Sequence, residues 1–586
     1  RMMRAIMEAE KIEKLVEHLQ HAGFSKKQLI TGDKAASLSS KYYTPTFTSP
    51  VRIIPLPQHP EISKKRYEQI VSAIEIVKAQ QTGLQIISRG QNIGYGSDAP
   101  YADNTVLLDL SGFDKIYQYN KSLSQISLEP GVTQQALYDY LIESGGEHWP
   151  DSTGAPTNAS ILGNYLERGF GHSPYAEHAE QIITMTCLIP WGIDTSPGIY
   201  STAINGSLSA IAGRPHVVSI GPNFNGIFLQ NNLGVVLNLT INLLPKPESF
   251  VAYFVEVKAN QFNQFIDQCR YLKQHNVIQN ASHTGNYIKT LQLLAAEYPA
   301  IINSYDPDKL KEKAALFGLS DWMMSGALYG TRHQVKANIK ELKRHFKPLG
   351  LKPIFMGERK QGVLSFVNTI AQSTLIRKWI GNAILSEYAA PRFIASRLSM
   401  LKGFISLCEL KKGKPSNYFL NTTYWRNLEK LEPNASNDPA SDNVGCIWGS
   451  PCSPISGEDV AAVVKIINSQ CLKFQLEPAI SCTILNKRNI ECVLSLSFNR
   501  DNPEEEIRAL ECYKNTMVEC AKAGYLKYRL STHSNQYFDH TLLGTDMPLL
   551  NLKAMLDPLN IIQPGKYKIV SGNFTGPSEA NMKNVK

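Results

Sequence analysis

The stretch 88–97, SRGQNIGYGS, and the longer segment 150–178, PDSTGAPTNASILGNYLERGFGHSPYAEH, carry the reading of this chain. Gly90, Gly94 and Gly96 free the backbone for positive φ and for close approach to a ligand. Successive N–H groups in such a loop form a concavity that holds an anion. The apolar run Leu84–Ile87 just ahead reads as a buried strand, so the loop hangs from a sheet edge. Taken alone, 88–97 reads better as a glycine-rich hairpin turn.

Working outward, TVLLD at 105–109 reads as a strand and is followed by LSGFDKI. A further strand ends in LEPGVT at 128–133, and a helix spans Gln134–Glu143. In order and spacing these pieces resemble the vanillyl-alcohol oxidase / para-cresol methylhydroxylase family of FAD enzymes. The resemblance continues in GPNFNGIFLQNNLGVVLNLTINLLPKP at 221–247, FNRDNPEE at 498–505, YRLSTHS at 528–534 and LDPLNIIQPGKY at 556–567. It implies an α+β fold with a discontinuous, PCMH-type FAD-binding domain and an α+β cap over the flavin. Residues 1–247 and 523–586 would form the first, and 248–522 the second.

The resemblance also implies roles for particular residues. Ser88, Arg89, Gly90, Gln91, Asn92, Ile93, Gly94 and Gly96 fall on the phosphate loop. Pro150, Gly154, Ser160, Gly163, Asn164, Gly171 and His172 fall on the flavin-lining segment, Gly234 and Val235 on the third motif. Asp151, by itself a turn aspartate bonding nearby backbone, matches the carboxylate beside flavin N5 and would act as acid/base. Tyr95 and the pair Tyr528-Arg529 match the family's phenol-binding trio; Arg529 would also face the flavin. Two hydroxyls and a permanently charged guanidinium can hold a phenol as its phenolate, which eases hydride loss from the para benzylic carbon.

Three positions depart from the pattern. Cys446, in GCIWGSP at 445–451, stands where vanillyl-alcohol oxidase carries its flavin-linking histidine. FAD is therefore expected without a covalent bond, a cysteinyl link through Cys446 being the open alternative; that link needs a thiolate. His172 replaces a usual tyrosine, and RNIEC at 488–492 replaces a pair of histidines.

The bulk composition agrees with an enzyme of this size. A chain of 586 residues exceeds one compact core. Hydrophobic content of 43% and charged content of 19% are ordinary for a globular protein. The net charge of +9 is diluted over the length, and KELKRHFK at 340–347 reads as a solvated helix face, so no nucleic-acid partner is expected. No apolar run reaches 18 residues, and no membrane partner is expected. The first twenty residues read as an amphipathic helix with Ile6, Ile12, Leu15 and Leu19 on one side, not as a secretory signal; opening on Arg1, they read as a trimmed end. The ten cysteines include no C-x-x-C pair and read as reduced, and no zinc signature occurs. Helices are expected at 61–83, 261–274, around 334–346 and in 453–474 with Ser456 as cap, and strands at 84–88, 124–129, 233–244 and from 250.

The expected function is removal of hydride from a benzylic or allylic carbon of a phenol or aromatic alcohol by FAD. Oxygen or an electron-transfer protein would take the electrons, in a cytoplasmic homodimer. The alternatives are a biosynthetic FAD oxidoreductase acting on a different alcohol or larger aromatic intermediate, and a flavin-binding subunit without turnover.

Overall fold

The computed structural model describes residues 2–38, 41–192, 196–203, 222–294, 305–371, 373–384, 386–431, 438–537 and 546–568. Part of the 523–586 segment and of the 432–444 connection therefore lies outside the described residues, as does the Ile6 side chain.

Three main sheets organise the described chain. The first is four-stranded, in the order Leu29–Thr31, Val51–Ile53, Thr105–Asp109 and Gly83–Ile87. Its last three strands run parallel, so both faces must be covered. The helix Glu68–Ala79 covers one face with Ile70, Ile74 and Val77, all buried. Leu15 and Leu19 of the helix Met2–His21 join the same core. The second sheet has five antiparallel strands, ordered Ile116–Asn120, Gln125–Leu128, Val235–Asn242, Ile182–Ile189 and Gly198–Ser201.

The third sheet is antiparallel and eight-stranded. Its main path runs Ile354–Gly357, Ser249–Val257, Trp322–Gly330, Ser282–Asn286, Ala479–Ile484, Asn489–Asn499 and Val444–Gly449. Helices Phe262–Gln274, Arg332–Phe346, Gly457–Lys473 and Pro503–Lys522 pack on it. Ser456 caps the third of these, its hydroxyl accepting from Asp459 N. Near its end the chain returns to the first sheet: Leu84 N donates to Ile561 O, and Gln563 N to Leu84 O.

One helix differs from expectation. The 61–83 segment has a 3₁₀ turn at Lys64–Tyr67, and its α-helix stops at Ala79. The helix does not run on to Gly83. Gln81 takes φ of 48°, while Thr82 N bonds Val77 O and Gln81 N bonds Lys78 O. This is a Schellman ending built on glutamine. Gly83 opens the next strand, where a Cβ would sit 2.6 Å from Thr105 Oγ1. Among the described residues no helix is long and apolar enough to cross a membrane.

Candidate functional site

A cavity of about 450 Å³ lies where the 88–93 loop and the 153–170 segment face the eight-stranded sheet. Its size falls in the ~300–1,000 Å³ range of small-molecule and cofactor sites. The loop leaves the strand Gly83–Ile87 and turns at Gly90, whose φ is 64°. Ser97 Oγ donates to Gly90 O at 2.7 Å and braces the turn. Behind it, Asp98 is fully buried against Arg52 at 2.8 Å, and Arg52 also pairs with Asp109 at 2.7 Å. The N–H groups of Gly90, Gln91, Asn92 and Ile93 make no hydrogen bond among the described residues. A run of unpaired N–H groups on a cavity wall is suited to an anion.

The glycines of this loop divide their work. Gly90 lines the cavity, but Gly94 and Gly96 do not. A Cβ on Gly94 would lie 2.6 Å from the Trp448 ring, and one on Gly96 2.1 Å from Thr532 Oγ1. Both are needed for close packing of distant segments rather than for approach to a ligand.

The second loop runs from Pro150 into the helix Ile161–Leu166. Ser160 caps that helix, accepting from Gly163 N at 3.0 Å and donating to Pro130 O at 2.6 Å. Gly154, Ser160, Gly163, Asn164 and His172 line the cavity; Pro150, Asp151 and Gly171 do not. Asp151 has the following partners. Its carboxylate is buried in a structural cluster: Oδ1 accepts from His172 N and Ser173 N, both at 2.9 Å, and Oδ2 lies 3.1 Å from His178 Nε2. His178 in turn contacts Asn164 Oδ1 at 2.6 Å and stacks on Tyr165 at 4.2 Å. Gly171 is required because a Cβ there would fall 2.3 Å from the Asp151 carboxyl. These bonds are not those of a turn aspartate to its own backbone, since their donors are residues 172 and 173.

The expected trio does come together. Tyr95, Tyr528 and Arg529 all line the cavity. The Arg529 guanidinium lies 4.2 Å from the Tyr95 ring centroid, a cation–π contact. Its Nη2 donates to Asn92 Oδ1, and its Nε is 3.9 Å from Glu167 Oε2. Glu167 also takes hydrogen bonds from Lys566 and Tyr567. Burial disfavours the charge on Arg529, but the neighbouring Glu167 carboxylate favours it, and on balance the guanidinium's pKa is raised, so it stays charged. Burial raises the Tyr95 hydroxyl well above its ordinary range, and Tyr528 to about 12. Both remain neutral donors at physiological pH.

The cavity is also lined by a group that the sequence reading missed. His283, Lys289, Ser325 and Ser495 line the cavity. The rings of His172 and His283 stack at 4.1 Å. Lys289 Nζ donates to Ser495 Oγ at 3.1 Å, and the fully buried Lys411 Nζ to Ser325 Oγ at 2.6 Å. Burial lowers the pKa of both amines to about 8 and of His283 to about 3, and depresses His172 strongly. Nothing in ASHTGN or ELKKGK marks these residues in sequence, because sheet packing gathers them.

Two further residues of the expected set lie off the cavity. Val235 faces the core of the first sheet and not the cavity, which Gly234 and Val236 line instead. Cys446 lies on the strand Val444–Gly449, 1% exposed, and is not on the cavity wall. Burial raises its thiol to about 12, so the thiolate that a cysteinyl link needs is not available. The 488–492 stretch also stays off the cavity: Glu491 is buried against Cys452 Sγ at 3.0 Å, and burial raises its carboxyl to about 7. All ten cysteines are free thiols.

With this geometry in hand, comparison with known proteins is informative. Residues 63–193 match the family model of an FAD binding domain. The chain is 27% identical over 546 residues to the 1'-carboxy-chondrochloren decarboxylase of Chondromyces crocatus, covering 92% of this chain and 94% of that protein. It is 25% identical over 512 residues to the 4-cresol dehydrogenase [hydroxylating] flavoprotein subunit of Pseudomonas putida, covering 86% and 87%. Among solved structures it superposes on p-cresol methylhydroxylase with substrate bound, with a TM-score of 0.79, 22% identity and coverage of 96% and 97%. It also superposes on 4-ethylphenol oxidase from Gulosibacter chungangensis, with a TM-score of 0.78, 20% identity and coverage of 96% and 98%. The resemblance read from the sequence is borne out: the chain has the PCMH-type FAD-binding fold, its cofactor is FAD, and it is an FAD-dependent oxidoreductase. The residues fit that cofactor, since the unpaired N–H groups of 90–93 suit a pyrophosphate and the rest of the cavity is mainly apolar.

Proposed function

We propose that this enzyme binds a phenol or aromatic alcohol as its phenolate and removes a hydride from the benzylic or allylic carbon. The observation that carries the reading is the Arg529 guanidinium, packed at 4.2 Å on the Tyr95 ring beside Tyr528 on one cavity wall. A phenol in water ionises near pH 10. Two neutral hydroxyl donors and a fixed cation lower that value inside the cavity. The phenolate pushes electron density towards the para carbon, and hydride leaves more easily. When bound, FAD supplies the hydride acceptor. Asn92 Oδ1 accepts from Arg529 Nη2 and the Glu167 carboxylate lies 3.9 Å from Nε, so that the guanidinium meets the phenolate already oriented.

In this reading Asp151 is a positioning residue. Its carboxylate fixes the 171–173 turn and thereby the His172 ring at the cavity. Residues 1–247 and 523–586 form the FAD-binding domain and 248–522 the cap. FAD is held without a covalent bond, which the protonated, off-cavity Cys446 supports. Electrons pass on to oxygen or to an electron-transfer protein; homodimeric assembly and a cytoplasmic location follow from the resemblance.

The test is equilibrium binding of 4-bromophenol, followed by perturbation of the flavin spectrum in FAD-loaded protein. Arg529→Ala should weaken binding by roughly tenfold to a hundredfold, because a charge-assisted bond is lost. Arg529→Lys should recover only part of it, since an ammonium lacks the fork. Equal affinity in all three proteins would show that the phenolate is held elsewhere.

A further inference from the structure

The register of the eight-stranded sheet lays two rows of side chains across one face. Phe254, Ser325, His283 and Thr483 stand side by side in the first row, and Glu256, Met323, Gly285, Ser481 and Val493 in the second. Apart from Glu256, all of these line the cavity. The cavity therefore crosses the sheet towards the strand Ser249–Val257, away from Trp448, whose ring lies 6.2 Å from Tyr95 of the phenol trio. Met323 stands four strands from Trp448, about 19 Å at ~4.8 Å per strand. The helix Ala389–Lys411 covers that far end. Its Arg397, Met400, Phe404 and Leu407 recur at helical spacing and form one stripe. Leu407 lines the main cavity, while Arg397, Met400 and Phe404 line a side pocket that shares Thr290 and Met323 with it. The Phe404 ring meets Phe254 at 4.7 Å. From Leu407 to Arg397 the stripe is about 15 Å long. It ends at the surface, where Arg397 Nη1 lies 4.0 Å from Glu256 Oε1 and both side chains are about half-exposed.

From this continuity we infer that the cavity has an apolar arm, running from Met323 along the Leu407–Arg397 stripe, that takes an extended hydrocarbon chain on the substrate. The inference deepens the phenol reading above and rests on it for the aromatic head of the substrate. Phe254, Leu293, Met323 and Leu407 give the chain an apolar bed inside the main cavity, and Met400 and Phe404 continue it outwards. Removing such a chain from water is the driving force. The side pocket holds about 10 Å³, barely room for one water. A chain enters it by displacing Met323 and Met400, whose unbranched side chains re-pack at low cost. The Arg397–Glu256 pair closes the outer end. Every residue of the arm falls between 254 and 407, outside the 63–193 match to the FAD binding domain. That origin assigns the arm to substrate rather than to cofactor. The substrate is then an aromatic compound with a long apolar side chain, larger than a simple cresol or ethylphenol.

The experiment measures binding of two pairs of probes to FAD-loaded protein by flavin difference spectra: 4-ethylphenol with 4-heptylphenol, and benzyl alcohol with 4-heptylbenzyl alcohol. Each methylene buried tightens binding about fourfold, so 4-heptylphenol should bind at least roughly a hundredfold tighter than 4-ethylphenol. Met400→Trp, which fills the side pocket, should remove at least about tenfold of that gain while leaving 4-ethylphenol unchanged. Met400→Phe, a smaller change at the same place, should remove part of it. Retention of FAD reports whether each variant is folded. Equal affinity of wild type for the two phenols overturns the proposal, as does a gain that survives undiminished in both Met400 variants. If neither phenol binds, but 4-heptylbenzyl alcohol binds tighter than benzyl alcohol and Met400→Trp removes the gain, the arm stands and the phenol reading falls. If chain length changes affinity in neither pair, the proposal falls.

Discussion

An ammonium group with no counter-ion inside a protein costs stability, and Lys411 carries such a group. It is 0% exposed and bonded to Ser325 Oγ, with Cys408, His172 and His283 nearby. Burial takes its pKa from 10.5 to about 8. A base with a depressed folded-state pKa contributes its full stability above the unfolded value, and that contribution is lost as pH falls through the folded value. The penalty is thus complete below about pH 8 and gone by pH 10.5. At about 1.4 kcal/mol per unit it is on the order of 3 kcal/mol. Lys411→Met should therefore raise the midpoint of thermal unfolding at pH 7, and the gain should shrink between pH 8 and 10.5. Melting curves at pH 7 and 10 check this; a variant destabilised at both values would mean that the amine has an internal partner. Sequence reading could not have found this residue, since KK in a helical run looks solvated and only tertiary packing buries one of the pair.

At the scale of elements, the turn 171–173 connects a structural cluster to the cavity. Asp151 accepts two backbone bonds from it, and Gly171 makes room for the carboxyl. An asparagine keeps one carbonyl acceptor for those N–H groups, whereas alanine keeps none. Asp151→Asn should retain much of the wild-type rate of flavin reduction, and Asp151→Ala should lose FAD occupancy together with rate. A general acid/base would behave otherwise: Asn would be as slow as Ala, by roughly 10²–10⁴-fold. Single-turnover reduction of both variants separates the two roles. Elements themselves were legible wherever the hydrophobic period was clean, as in Gln134–Glu143, Thr105–Asp109 and the Ser456-capped helix. Where a helix ended on Gln81 rather than on a glycine, the pattern misled, because positive φ on a non-glycine residue leaves no mark in composition.

For the whole molecule, the motifs at 88–97, 150–178 and 528–534 were readable through the family resemblance, and they meet on one cavity although the third lies far along the chain from the first two. The trio of Tyr95, Tyr528 and Arg529 was legible for that reason. Which motif residues face the cavity was not, since Gly94, Gly96, Val235 and Cys446 point into packing that only the folded chain supplies. The lining residues between 283 and 495 bear no motif, because sheet pairing rather than local sequence gathers them. Anaerobic mixing of FAD-loaded protein with 3-(4-hydroxyphenyl)propanoate and with 4-ethylphenol tests the central claim most directly. Bleaching of the flavin's visible band in wild-type protein, at least about 10²-fold slower in Arg529→Ala, is the predicted result. No bleaching by either phenol, or bleaching at the same rate in both proteins, would contradict it.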